Sequence, residues 1–239
     1  MPTYHILSEG SSNAKLAKGD GKGYYTMALF LAPSTLNRYG VDLCPYSTKQ
    51  CREGCLNSAG RGVFSNVQNA RVRKANLYVE QPEEFERVLR EDLSKAQAYA
   101  DANGFILVVR LNGTSDLLWL HIVRDYPRAT FYDYTKNVNL FDTYLHNWQY
   151  ENYHLTFSLS EDNLPTALNA LAHEGTVAVV FDVARGEALP ATWHGYPVID
   201  GDENDLRFLD SKKVVVGLRA KGKAKTVETG GFIQIGKAS

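Results

Sequence analysis

The sequence predicts an α/β fold, with alternating strands and helices forming a partial TIM-like barrel behind an irregular N-terminal lead-in that carries a cysteine loop. Three observations predict it. Between residues 105 and 183, short apolar runs alternate with stretches of helical periodicity. That is the rhythm of βαβ units and of a parallel sheet, open or rolled into a barrel. The runs are nearly continuous in apolar character, 105–111 most clearly, as expected of strands buried on both faces. Finally, each run stops at a polar cluster, where parallel α/β folds place their ligand sites.

The elements follow in order. The first 40 residues read as the lead-in, punctuated by Gly19, Gly21 and Gly23, with one strand at 24–32. Residues 44–62, rich in Pro, Ser, Gly and Asn, read as a loop. A helix runs from Asn66 to about Tyr78. A second starts at Pro82, a favoured first helical position with acids behind it, and runs to about Ala100. Phe85, Val88, Leu89, Leu93 and Ala96 recur at helical spacing on its buried face. Asn103-Gly104 ends that helix. Strands are then expected at 105–111, 130–134, 154–159 and 176–183, and helices at 116–126, 139–150 and 165–173. From about 185, Pro190, Pro197 and several glycines break the rhythm, leaving strands at 214–218 and 232–235. With no repeat, low-complexity tract or linker, residues 1–239 read as a single domain.

Composition narrows the function classes. The chain is 44% hydrophobic and 22% charged, with net charge −1, so nothing draws it as a whole to nucleic acid or membrane. No run approaches the roughly 20 apolar residues of a membrane span. The N-terminus has no apolar core of the signal-peptide kind, so a cytoplasmic location is the default expectation.

All three cysteines lie within twelve residues, spaced C-x6-C-x3-C at Cys44, Cys51 and Cys55. A secreted disulfide framework spreads an even number along the chain, so the cluster points to metal or thiol chemistry. Pro45 and Gly54 help the loop turn, and Lys49 and Arg52 favour ionised sulfurs. Structural zinc requires a fourth ligand, for which His5, His121, His146, His154, His173 and His194 stand at no telling spacing. A three-cysteine iron–sulfur cluster needs none. Unligated thiols are the plain alternative.

The polar strand ends supply the other candidates. They are Arg110 with residues 111–116, then Asp133 to Asn137, then Ser158 to Asp162, then Asp182 with Arg185. Asp116, Asp133, Lys136 and Asp182 are the candidate catalytic side chains there. Caps and solvated loops use the same residue types, but four such clusters in succession favour a shared site.

The segments CPYSTKQCREGCLNSAGRG (44–62), VQNARVRKANLY (67–78), RLNGTSDLLW (110–119) and FYDYTKN (131–137) resemble the phage and plasmid gene product 88 family, across about 95 residues. A cysteine loop ahead of an α/β half-barrel also resembles radical S-adenosylmethionine proteins. That resemblance implies a [4Fe-4S] cluster on Cys44, Cys51 and Cys55, with the methionine part of S-adenosylmethionine on the open iron. It implies that Asn112, Gly113, Thr114, Ser115 and Asp116 meet the cofactor's amino group, with Lys136 and Ser158 facing the same cavity. The spacing differs from the usual C-x3-C-x2-C of those enzymes, and Gly54 precedes the last cysteine.

Three functions compete. The first is an iron–sulfur enzyme modifying a nucleic-acid base or nucleotide. Its nucleic-acid partner would meet Arg61, Arg71, Arg73 and Lys74, or Lys212, Lys213, Arg219, Lys221, Lys223 and Lys225; solvated surface explains such runs as well. The second resembles the guanine transglycosylases, inserting deazaguanine with zinc and an aspartate nucleophile, although their C-x-C-x2-C pattern is absent. The third is a metal-stapled nucleic-acid-binding protein, in which Asp200, Asp202 and Asp205 form a charged turn or hold a cation.

Overall fold

The computed structural model describes residues 5–12 and 22–236. Gly19 and Gly21 of the lead-in lie outside them. The chain has a mixed α/β fold whose strands pair mostly in parallel and alternate with helices. In chain order the elements begin with β1 (Leu7–Glu9), β2 (Tyr24–Leu29), α1 (Lys49–Glu53), α2 (Ser65–Glu80), α3 (Pro82–Asn103) and β3 (Ile106–Arg110). There follow α4 (Leu120–Asp125), β4 (Thr130–Thr135), α5 (Val138–His146), β5 (Tyr153–Ser158), α6 (Leu164–Ala172) and β6 (Val177–Phe181). The last are β7 (Thr192–Trp193), β8 (Tyr196–Asp200), β9 (Val215–Arg219) and β10 (Ile233–Gln234).

These elements fall into two compact units interleaved in sequence. One comprises Met1–Pro45, Phe64–Asp133 and Tyr150–His154; the other comprises Tyr46–Val63, Tyr134–Gln149 and Leu155–Ser239.

In the first unit β1 runs antiparallel to β2, and β2 and β3 are parallel, with Tyr24 opposite Ile106 and Ala28 opposite Arg110. β3 continues in parallel to β4 through Val108 opposite Thr130. Leu107, Val108 and Val109 are fully buried, as the apolar run predicts, whereas Phe105 and Ile106 at its start are exposed. All five apolar residues expected to face inward from α3 are buried. Gly104 ends that helix with φ 70°, a left-handed conformation in which glycine has no Cβ penalty. Asp92, buried on α3, accepts hydrogen bonds from His5 Nδ1 and from the Ile6 and Leu7 amides. It thereby fixes β1, a strand that three residues of sequence are too short to announce. Lys74 on α2 donates to the Ile6 carbonyl at 3.0 Å. Burial, reinforced by the neighbouring Arg71 charge, brings its pKa down to about 8.

In the second unit β6 is flanked by parallel β5 and β9, and β8 runs parallel to β9. β10 pairs in parallel with β6, Ile233 lying opposite Val180. β7 and β8 form a hairpin whose turn, His194-Gly195, has positive φ at both residues (48° and 82°). The sequence reading passes over this hairpin because its turn lacks the Asn-Gly or Asp-Gly signal. No helix among the described residues is long and apolar enough to cross a membrane.

Several expected elements change in extent: the strand at 24–32 ends at Leu29, the helix at 139–150 ends at His146, and two further changes bear on the site. The helix expected at 116–126 is confined to Leu120–Asp125, because residues 112–119 form a side-chain-tied turn. The expected loop at 44–62 contains a short helix, α1, which Thr48 caps by accepting from the Cys51 amide.

Candidate functional site

In the first unit the site begins where β3 ends. Asn112 is buried, and its amide group organises the turn. Its Oδ1 accepts from Ser115 Oγ (2.9 Å), the Leu117 amide (3.0 Å) and Trp119 Nε1 (3.2 Å), while its Nδ2 donates to the Leu117 carbonyl (2.9 Å). Gly113 lies against the end of β2. Its amide donates to the Leu29 carbonyl, and a Cβ there would stand 2.5 Å from the Phe30 ring. Only glycine allows that approach. Thr114 Oγ1 donates to the Leu31 carbonyl, and the half-buried Asp116 donates its amide to the Leu43 carbonyl.

Asp133, on β4, braces this turn. Its carboxyl is buried and accepts from the Asn112 amide (2.7 Å) and from the Tyr153 hydroxyl (3.0 Å). Burial pushes its pKa up to about 7, against the pull of those two donors and of Arg110. Burial, together with the adjacent Asp133, also raises the Tyr153 phenol well above its usual range. A carboxyl enclosed in this way holds backbone in place; the half-buried Asp116 is the more accessible acid of the two.

Cys44 docks onto the same turn. Its sulfur accepts from the Ser34 amide at 3.3 Å and lies 3.5 Å from the Thr114 carbonyl. Ser34 itself has φ 51° and its carbonyl accepts from the Leu43 amide, closing the loop that leads to Cys44.

In the second unit, Lys136 and Ser158 meet beyond the ends of β4 and β5, with Lys136 Nζ donating to Ser158 Oγ at 2.8 Å. The Lys136 ammonium lies 5.5 Å from the centre of the Phe232 ring. Glu161, in the turn that follows β5, reaches the cysteine helix: it accepts from Thr48 Oγ1 (2.5 Å) and from the Gln50 amide (2.9 Å). Burial works against its charge, but these donors and Lys136 outweigh it and hold the carboxyl below its usual range. The sequence places Glu161 in a polar strand-end cluster but offers no sign that it caps α1.

The C-terminal segment packs on the other side of that helix. Gln50 Oε1 accepts from the Phe232 amide at 2.8 Å, and Cys51 packs against the cluster of Ala220, Ala224, Phe232 and Ile233. The Lys223 amide donates to Ser58 Oγ, and a Cβ on Gly222 would stand 2.6 Å from the Ser58 carbonyl oxygen. Cys55 caps the following 3-10 turn, its sulfur accepting from the Asn57 amide at 3.5 Å.

Compared with protein-family models, the chain matches gene product 88 over residues 5–234. The chain belongs to the gene product 88 family. The match takes in the C-terminal third, beyond the four segments that carry the resemblance in the sequence, and so includes the residues that pack on α1. No curated protein and no solved structure matches this gene product 88 chain.

Elsewhere in this family member the candidate residues serve varied ends. Asp182 stands past β6, where it holds β10: its amide donates to the Gln234 carbonyl and its carboxylate accepts from the Gly236 amide. Asp200 and Asp202 are bound by Arg219, and Asp202 also by Lys221; the buried Asp205 accepts from the Tyr134 hydroxyl. Lys212 and Lys213 pair with Glu174, while Lys223 and Lys225 are exposed on a 3-10 turn. Of the other basic stretch, Arg71 and Lys74 are buried, with Arg71 over the Phe30 ring, whereas Arg61 and Arg73 are exposed. Among the histidines, His5 binds Asp92, His121 faces Glu86 and His146 faces Asp142.

None of the three cysteines is in a disulfide, and all three are half-buried. Among the described residues, no three His, Cys, Asp or Glu side chains are grouped so as to hold a metal ion. Backbone amides point at the sulfurs of Cys44 and Cys55, and the Cys44 sulfur also faces the Thr114 carbonyl oxygen.

Proposed function

We propose that the chain is a three-cysteine iron–sulfur enzyme of the radical S-adenosylmethionine kind, acting on a nucleic-acid base or nucleotide. One observation carries the reading. The cysteine segment follows the first parallel strand, and Cys44 docks on the polar turn that closes the neighbouring parallel strand. That is the carboxyl end of the sheet, where parallel α/β folds bind ligands. On this reading the strands curve as a partial barrel, the cysteines of the segment gather on the [4Fe-4S] cluster only when it binds, and the work takes place in the host cytoplasm. The cluster with S-adenosylmethionine supplies one-electron chemistry when bound.

The chain's own residues then divide the remaining tasks. Asn112, Gly113 and Ser115 shape the turn, while Thr114 and the carboxylate of Asp116 face the cofactor's amino group. Lys136 and Ser158 bind polar oxygens of the ligand, and exposed basic residues such as Arg61 and Arg73 meet phosphate.

The test is metal and acid-labile sulfide content, with the visible spectrum, of anaerobically purified protein. About four of each per chain, with a broad band near ~400 nm that Cys51→Ala abolishes, is the expected result. Stoichiometric zinc without colour would transfer the reading to a base-exchange enzyme with Asp116 as nucleophile, or to a metal-stapled binding protein. Absence of any metal would overturn both metal readings.

A further inference from the structure

The middle cysteine is held from two sides by residues that no sequence motif marks. On one side, Glu161 accepts from the Thr48 hydroxyl and the Gln50 amide, so its carboxylate caps the first turn of α1, one residue before Cys51. On the other, the Gln50 side chain accepts from the Phe232 amide, and the Cys51 sulfur-bearing side chain rests on Ala220, Ala224, Phe232 and Ile233. Glycines make the approach possible. A Cβ on Gly54 would meet Phe232 at 3.0 Å and Ala224 at 3.3 Å, and one on Gly231 would meet Gln50 Oε1 at 2.4 Å. Helix α1 is five residues long, too short to persist on its own hydrogen bonds. Its shape, and hence the place of Cys51, depends on these outside contacts.

We propose that Glu161 and Gln50 are positioning residues that set Cys51, with residues 220–233 closing on the helix as the second jaw of a clamp. Insofar as Cys51 is a metal ligand, this rests on the function proposed above; the clamp itself does not. By contrast, Cys44 is held by Ser34 and lies at Thr114, so loosening the clamp should leave it undisturbed.

The test is the alkylation rate of each cysteine in the folded full-length chain after chelation of any bound metal. Trypsin places Cys44, Cys51 and Cys55 on separate peptides, 39–49, 50–52 and 53–61, so each rate is read independently by mass spectrometry. Losing the charge-assisted cap in Glu161→Ala should speed Cys51 alkylation about tenfold, with Cys44 changed by less than about twofold. Glu161→Gln, which keeps an acceptor for the Gln50 amide, should restore most of the protection. Gln50→Ala, which releases Phe232, should act in the same direction and carries the test alone if Glu161→Ala does not fold. Unchanged Cys51 rates, or equal increases at Cys44 and Cys51, would overturn the proposal. The two readings separate cleanly: selective exposure of Cys51 in a chain that binds no metal would leave the clamp standing and remove the enzyme assignment. Iron without selective exposure would do the reverse.

Discussion

The turns that follow β3 and β5 share a plan and differ in what they do with it. Each is closed by a buried asparagine whose side chain stands in for backbone groups. Asn112 makes four such bonds after β3; Asn163 makes two after β5, accepting from the Ser160 amide and donating to the Ser158 carbonyl. Each turn also carries a half-buried acid, Asp116 in one and Glu161 in the other. The first turn is braced from within by Asp133, buried beneath its amide, and offers Thr114 to Cys44. In the second, the acid itself reaches out to Thr48 and Gln50. One turn is rigid and presents an edge; the other is simpler and grips a separate segment. A polar strand end therefore serves the fold first, and what its side chains can offer a ligand depends on how much of their bonding the fold takes up.

The largest expected effect tests that rigidity. Asn112→Ala removes four hydrogen bonds and leaves a buried indole N–H and two backbone groups of Leu117 without their partner. A loss of about 4 kcal/mol of stability is expected, read as a shift in the urea midpoint at constant slope. A loss below about 1 kcal/mol would show that the turn does not depend on this side chain.

Next comes the brace. Because the Asp133 carboxyl titrates near 7 when folded but near 4 when unfolded, the folded chain binds the extra proton between those values. Stability attributable to this residue is therefore greatest below about pH 4, falls as pH rises towards 7, and is flat above. The fall should be on the order of 4 kcal/mol, and Asp133→Asn should abolish it while keeping an acceptor for the Asn112 amide. A wild-type and Asn variant with parallel pH profiles would argue that Asp133 is ionised throughout.

This difference between the two turns explains how much could be read beforehand. Period sufficed for α2, period and end signals for α3, and apolar runs for β3 to β6 and β9, since these signals are local; β8, parallel to β9 but only partly buried, carries no such run. The strand-end clusters were legible as clusters. Their division of labour was not, because Asp116 and Asp133 are the same residue type and only burial separates a bracing acid from an accessible one. The pairing of Glu161, Gln50 and Phe232 was illegible for another reason: their partners lie more than one hundred residues away in sequence, where neither spacing nor composition carries a signal.

A smaller effect sharpens the comparison. Asn163→Ala deletes two bonds rather than four, so about 2 kcal/mol is expected. If the loss matched that of Asn112→Ala, the brace beneath the first turn would contribute little to its rigidity. Asn163→Ala should also hasten Cys51 alkylation, because Glu161 is carried on the same turn; Asn112→Ala should act on Cys44 instead.

The smallest effects belong to the basic C-terminal segment, and they separate charges the fold uses from charges it leaves at the surface. The Arg219 side chain is only 13% exposed and its guanidinium binds Asp200, Asp202 and the Glu187 carbonyl, so Arg219→Ala should lower Tm measurably. Lys223→Ala with Lys225→Ala changes two exposed side chains and should leave Tm unaltered at about 0.15 M salt, as surface charges are screened there. If this segment meets nucleic acid, the same double variant should weaken binding to a single-stranded oligonucleotide. Its salt slope should also flatten by roughly one to two, about one for each phosphate no longer neutralised. An unchanged salt slope would assign the segment wholly to its other role, packing on the helix that carries Cys51.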